Sequence, residues 1–167
     1  MTQLALFLAR TAISAWIGAA VLFVVVGVSE VLHPEFTSEI KDQLVLIRFP
    51  WFYRFGFTLL AVCLLATLAV SPGAEFSAKR RILAAWLLAA ALVLMAVEYF
   101  AVYLPLAQLV TPPGKPRTAE FQAYHKASMA VNLTGLALCG AAMIIINRPA
   151  QPAASASRPD NRSRGLP

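Results

Sequence analysis

Three polar residues, His125, Ser128 and Asn132, stand at i, i+3 and i+7, so at about 100° per residue they share one face of a helix. A fourth, Glu98, is the single charge in an apolar run over residues 82–104. A carboxyl group in such a segment is costly in a bilayer unless it is neutral, paired or facing water, which makes it a candidate functional site. Asn132 lies about 10 Å along its helix from His125, and Glu98 about 9 Å back from Leu104, at about 1.5 Å per residue, so the two are expected at similar depth. Arg54, at the outer start of the preceding apolar run, is the expected cation for Glu98, with His125, Ser128 and Asn132 joining by hydrogen bonds. The same residues have a purely structural reading, because interhelical polar contacts hold membrane helices together with about 0.6 to 2 kcal/mol each.

His33 and His125 are candidate metal ligands, with Glu30 or Glu98 beside them, although nothing in their spacing requires a metal or a haem. No catalytic residue is assigned and no cofactor is expected. Walker-type phosphate loops, a GxSxG elbow and CxxC pairs are absent. Cys63 and Cys139 fall in apolar runs without metal-site or disulfide spacing and read as buried thiols. Arg10, inside the first apolar run, reads as a side chain that snorkels to the membrane surface. Ser14, Gly18, Gly135 and Gly140 offer small surfaces at which membrane helices can approach closely.

The elements that position these residues follow from composition. Of the 167 residues, 59 % are apolar and 13 % charged, where a soluble domain has about a quarter charged; this is membrane composition. Four runs reach or approach the roughly 20 residues that span a bilayer: residues 4–28, 52–70, 82–104 and 129–146. The first is too long, and lacks the positive opening, for a cleaved signal peptide, and is expected to be retained. Between the first two, Ile40, Leu44 and Ile47 recur at helical spacing and predict a short amphipathic helix on the membrane surface. Ser71-Pro72-Gly73 ends the second span, Pro105 is expected to stop the third, and the segment 111–116, rich in proline and glycine, separates the last two. The fourth is expected to be prolonged at its start from Ala119. The expected fold is thus all-α, an integral membrane four-helix bundle of up-down topology over residues 1–147, with a disordered cytoplasmic tail over 148–167.

The net charge of +6 is spread over loops and ends rather than one face, which argues against nucleic acid as partner. Arg10, Lys79, Arg80, Arg81, Arg148, Arg158, Arg162 and Arg164 fall on one side of the spans, and Lys41, Arg48, Arg54, Lys115, Arg117 and Lys126 on the other. The cluster in the short loop at 79–81 weighs most under the positive-inside rule, so both termini are expected in the cytoplasm, with the chain in the inner (cell) membrane of a bacterium. Trp51, Phe52, Tyr53, Tyr99, Phe100, Tyr103, Phe121 and Tyr124 are expected to form an interfacial belt on the opposite side.

The stretch FQAYHKASMAVNLTGL, residues 121–136, carries a Phe-x-x-x-His-x-x-Ser-x-x-x-Asn frame that resembles the last-helix start of the transmembrane protein 205-like membrane domains. The stretch ARTAISAWIGAAVLF with Trp16 and Gly18, the stretch FPWFYRFG at 49–56, and Pro105 are similar to that family as well. The resemblance covers about residues 5 to 147 and excludes the tail. It implies a four-helix membrane domain without an established catalytic activity, and marks His125, Ser128 and Asn132 as characteristic positions.

Three functions follow as expectations. The first is a non-enzymatic membrane protein whose outer polar cluster binds a small ligand, an ion or a partner. The second is a metal- or haem-binding redox protein built on His33, His125 and Glu98. The third is an assembly or scaffold subunit, in a homo-oligomer or a larger membrane complex, in which the cluster is glue. The lipid bilayer is the partner common to all three.

Overall fold

The computed structural model of the chain describes residues 2–73 and 76–149; the expected tail lies outside them from residue 150 on. All regular structure among these residues is helical. Helix α1 spans Thr2–Leu32, α2 Ser38–Ala69 and α3 Ala78–Val97. A six-residue π-helical turn, Glu98–Tyr103, leads on into α4, Leu104–Leu109, and α5 spans Ala119–Asn147. With α3, the π turn and α4 taken as one continuous rod, four helices are long and apolar enough to cross a membrane, as a multi-pass membrane protein requires.

Side chains at the starts of three rods supply acceptors for amides that have no partner inside the helix. Thr37 Oγ1 accepts from the Ile40 amide at 3.3 Å, Ser77 Oγ from the Arg80 amide at 3.4 Å, and Thr118 Oγ1 from the Phe121 amide at 3.1 Å. Helix α1 packs on α2 and α5, and α3 packs on the same two, so the rods close into a four-membered ring. Successive rods run antiparallel. At one end Arg10 Nε donates to the Ile146 carbonyl at 3.3 Å, joining the start of α1 to the end of α5. At the other, Arg48 and Glu30 pair at 2.6 Å, joining α2 to the end of α1.

Two expectations about helix boundaries are corrected. No separate surface helix covers Ile40, Leu44 and Ile47; these residues form the first turns of α2, which runs unbroken through Pro50. Proline removes one intrahelical hydrogen bond, and contacts with other helices at Arg48 and Phe49 before it and at Phe52 after it hold the helix together across it. Arg48 stacks over Phe23 at 4.7 Å, while Phe49 packs on Phe23 at 4.9 Å and on Tyr103 at 5.4 Å. Likewise Pro105 does not stop the third rod, since the π turn precedes it and the Leu104 amide reaches back five residues to the Tyr99 carbonyl. The widened turn allows the chain to continue as α4 to Leu109.

The core is built from alanines as much as from large side chains. Ala9, Ala12, Ala20, Ala66, Ala84, Ala91 and Ala142 are buried beside Ile13, Leu60, Leu88 and Ile146, because small residues let helix backbones approach where lipid supplies no hydrophobic contrast. Ser14 and Gly18 face outward on α1, and a methyl group added at Gly18 or Gly140 meets nothing within 4 Å. They are not packing positions within the chain. The close-approach glycine is Gly56, where an added Cβ would lie 2.6 Å from the Trp16 ring and 2.8 Å from Met95 Cε. Cys63 and Cys139 are free and buried in this core, and Cys63 Sγ donates to the Ala9 carbonyl at 3.4 Å.

The aromatic residues divide between two roles. Trp51 and Phe100 are 64 % and 65 % exposed, as an interfacial belt requires. Tyr53 and Tyr103 are buried instead, at 1 % and 5 %, with ring centroids 5.0 Å apart. The loop between α4 and α5 is fastened over this end of the bundle. The Asp42 carboxylate, in a residue 1 % exposed, accepts from the Gly114 amide at 2.9 Å and from the Arg117 guanidinium. Gly114 has φ of +87°, a conformation that side-chain-bearing residues rarely adopt.

Three outcomes follow. Gly56→Ala should lower stability by about 1–3 kcal/mol through overpacking against the rigid indole, read as a lower midpoint of thermal unfolding in detergent. Gly18→Ala should be neutral or mildly stabilising, since only helix propensity changes there. Asp42→Ala should raise hydrogen exchange at the Gly114 amide roughly tenfold or more, the loss of a charge-assisted bond, with the α3 amides unaffected.

Candidate functional site

Glu98 opens the π turn and is 1 % exposed. Its side chain meets three neutral donors from two other helices. Tyr53, from α2, donates its hydroxyl to Oε2. From α5, Ser128 Oγ donates to Oε1 at 2.7 Å, and Asn132 Nδ2 to the same oxygen at 3.2 Å. Asn132 Nδ2 also donates to the Ser128 carbonyl at 3.0 Å, which fixes the carboxamide against its own helix. The i, i+4 relation of Ser128 and Asn132 thus delivers two donors to one carboxylate oxygen.

The π turn is what aims the carboxyl group. Glu98 and Tyr103 are five residues apart, which in an α-helix would place them about 140° from each other. In the wider turn both face the bundle and both are buried. Tyr53 is held between Tyr99 and Tyr103, with ring centroids at 4.9 and 5.0 Å, so its hydroxyl is positioned by packing against both rings. One turn further along α2, Gly56 receives the Trp16 ring, which brings α1 against the same layer although it gives the cluster no hydrogen bond.

Of the residues expected at the site, the structure brings together Glu98, Ser128 and Asn132. It does not bring Arg54 or His125. Arg54 is exposed, its guanidinium 5.0 Å over the ring of Trp51; it is one residue, and so about 100°, from the inward-facing Tyr53. His125 is exposed and stacks on Phe121 at 5.8 Å, since it lies a turn before Ser128, the first buried residue of α5. His33 is likewise exposed, stacked on Phe36 at 4.3 Å. Among the described residues, no three of His, Cys, Asp and Glu gather closely enough to hold a metal ion.

Tyr53 is the site residue that sequence reasoning missed. Its signal was present in FPWFYRFG, where Tyr53 and Gly56 are three apart and so lie on one helix face with the close-approach glycine. The described ion pairs are Glu30–Arg48 and Asp42–Arg117, and neither touches Glu98. The carboxyl group is therefore served by neutral dipoles. An ionised carboxylate has about four lone-pair sites, of which these donors occupy three, leaving acceptor capacity on Oε2.

Ser128→Ala and Tyr53→Phe should each cost about 0.6 to 1.7 kcal/mol in reversible unfolding in detergent or bicelles, the span of such bonds in membrane bundles. Arg54→Gln and His125→Ala should stay within about 0.5 kcal/mol of the wild type, as for surface substitutions.

Comparison with protein families, with curated proteins and with solved structures gave no match for this chain.

Proposed function

We propose that this chain is a non-enzymatic membrane protein that binds a proton or a small monovalent cation at Glu98. The observation that carries the reading is a buried carboxyl group at a π turn, met by three neutral donors and by neither of the described ion pairs. An intramembrane carboxyl group without a fixed counter-charge is balanced by a mobile one. Its surroundings suit a hard cation, because Glu98, Tyr53, Ser128 and the Asn132 amide all carry oxygen. π turns recur at functional sites for a related reason, since they leave local backbone bonding less regular than an α-helix does.

A second reading has its own support. Both oxygens of Glu98 already accept hydrogen bonds from the protein, which is what a closed packing network in an assembly or scaffold subunit would show. The metal- or haem-based alternative has no such support, with His33 and His125 each stacked on an aromatic neighbour and away from the cluster.

Membership of the transmembrane protein 205-like domains is part of the proposal, supported by Ser128 and Asn132 of the characteristic frame meeting in one cluster. The orientation with both ends in the cytoplasm of a bacterial cell is proposed too. Its support is the gathering of Arg10, Arg80, Arg81 and Arg148 at one end of the bundle.

The two readings separate on one measurement series. Thermal unfolding of the detergent-purified chain in choline, lithium, sodium or potassium chloride, with infrared spectra across a pH series, is compared with Glu98→Gln. Cation binding predicts a rise of about 2.7 kcal/mol at a hundredfold excess over Kd, and proton binding a carboxyl C=O band that grows on acidification; both vanish in the variant. Stability and spectra indifferent to every cation and to pH would leave the packing network as the function of the cluster.

A further inference from the structure

A groove of about 320 Å³ runs along the outside of the bundle between α2 and α3, lined by residues other than those of the Glu98 cluster. One wall is Leu64 and Leu68 of α2, the other Ile82 and Trp86 of α3, and the floor is Ala85 and Ala89. Each pair is spaced i, i+4, so the walls form parallel ridges and the alanines leave the channel between them open. Trp86 is 72 % exposed and Ile82 54 %, so the walls turn apolar surface outward.

The groove is closed at its end by a cation. Arg81 lines it, and Arg81 Nη1 donates to the Val70 carbonyl at 3.1 Å and to the Leu68 carbonyl at 3.5 Å. Those bonds tie the guanidinium across the end of α2 and use one nitrogen of a group with five N–H donors.

We propose that this groove is a binding site for one anionic phospholipid, an acyl chain lying between Leu68 and Trp86 and the phosphate held by Arg81. Charge complementarity selects the occupant. An apolar channel alone would accept any lipid, but one ending on a fixed guanidinium distinguishes a head group of net negative charge from a zwitterionic one. From Arg81 to Ala89 the groove extends about 12 Å along the helix, into the hydrocarbon region and toward the middle of the bilayer. A free phosphate ion would use the cation and leave the channel idle.

Trp86 provides the readout. The full chain carrying Trp51→Phe is reconstituted in phosphatidylcholine vesicles containing either phosphatidylglycerol or phosphatidylcholine with brominated acyl chains as a minor component. Trp86 is then the exposed indole, Trp16 being 4 % exposed. Brominated phosphatidylglycerol should quench well beyond its mole fraction, with a preference of roughly fivefold per basic side chain at the surface, and brominated phosphatidylcholine in proportion to its mole fraction. Arg81→Gln should abolish the preference. Ala85→Leu, which fills the channel while leaving the cation, should abolish it as well and guards against misfolding of the arginine variant. Equal quenching by both lipids, a preference that survives both substitutions, or displacement of the lipid by millimolar inorganic phosphate would overturn the proposal.

Discussion

A carboxyl group enclosed by apolar helices must find its hydrogen bonds inside the protein, because the hydrocarbon around the bundle supplies none. Glu98 finds them on α2 and α5 at once, and this requirement fixes the depth of three rods relative to one another. Hydrophobic packing alone would tolerate sliding, since alanine against alanine looks much the same one turn up or down. A hydrogen bond from Ser128 to Glu98 at 2.7 Å does not. The π turn belongs to the same constraint, being the local change of pitch that lets Glu98 and Tyr103 face the interior together.

Charges elsewhere are kept to the two ends of the bundle and fasten it there. At one end Arg10, Arg80 and Arg81 donate to carbonyls at the last turns of α5 and α2, where helix dipoles present their negative ends. At the other, the Glu30–Arg48 pair joins α1 to α2, and Asp42 holds the loop that crosses to α5. Polar fastening at the ends and one neutral-donor cluster between them leave the outward faces free to be apolar. Leu65, Trp86 and Leu133 are accordingly 66 %, 72 % and 71 % exposed, which in water would be a liability and in lipid is the solvated surface.

Close packing places the site. Trp16 fills the space that Gly56 leaves open, one turn from Tyr53, so α1 holds α2 in position although it donates nothing to Glu98. Tyr53 is in turn clamped by Tyr99 and Tyr103. A hydroxyl aimed by two flanking rings and a carboxyl aimed by a π turn have little freedom to rearrange. Any ion bound there would meet a preformed set of ligands rather than gather them.

The four rods and the singular position of Glu98 were legible in the sequence, because run length and hydropathy act residue by residue and a lone carboxyl group in an apolar segment is conspicuous. The i, i+3, i+7 frame likewise announced that Ser128 and Asn132 share a face. What a single helix cannot show is which part of that face lies inside the bundle. His125 fell beyond its closed part, Arg54 pointed about 100° away from its neighbour Tyr53, and Tyr53, taken for a belt residue, supplied the missing donor. Proline was misleading at Pro105. Pro50 and Pro105 are helix breakers by local chemistry, yet contacts from other rods around Pro50 and the wider turn before Pro105 carried the helices through. The sequence by itself determined that the chain must be helical and apolar along four spans. The tertiary structure alone decided which polar groups meet, since that depends on rotation and depth between rods, which are set by packing across helices rather than by any one of them.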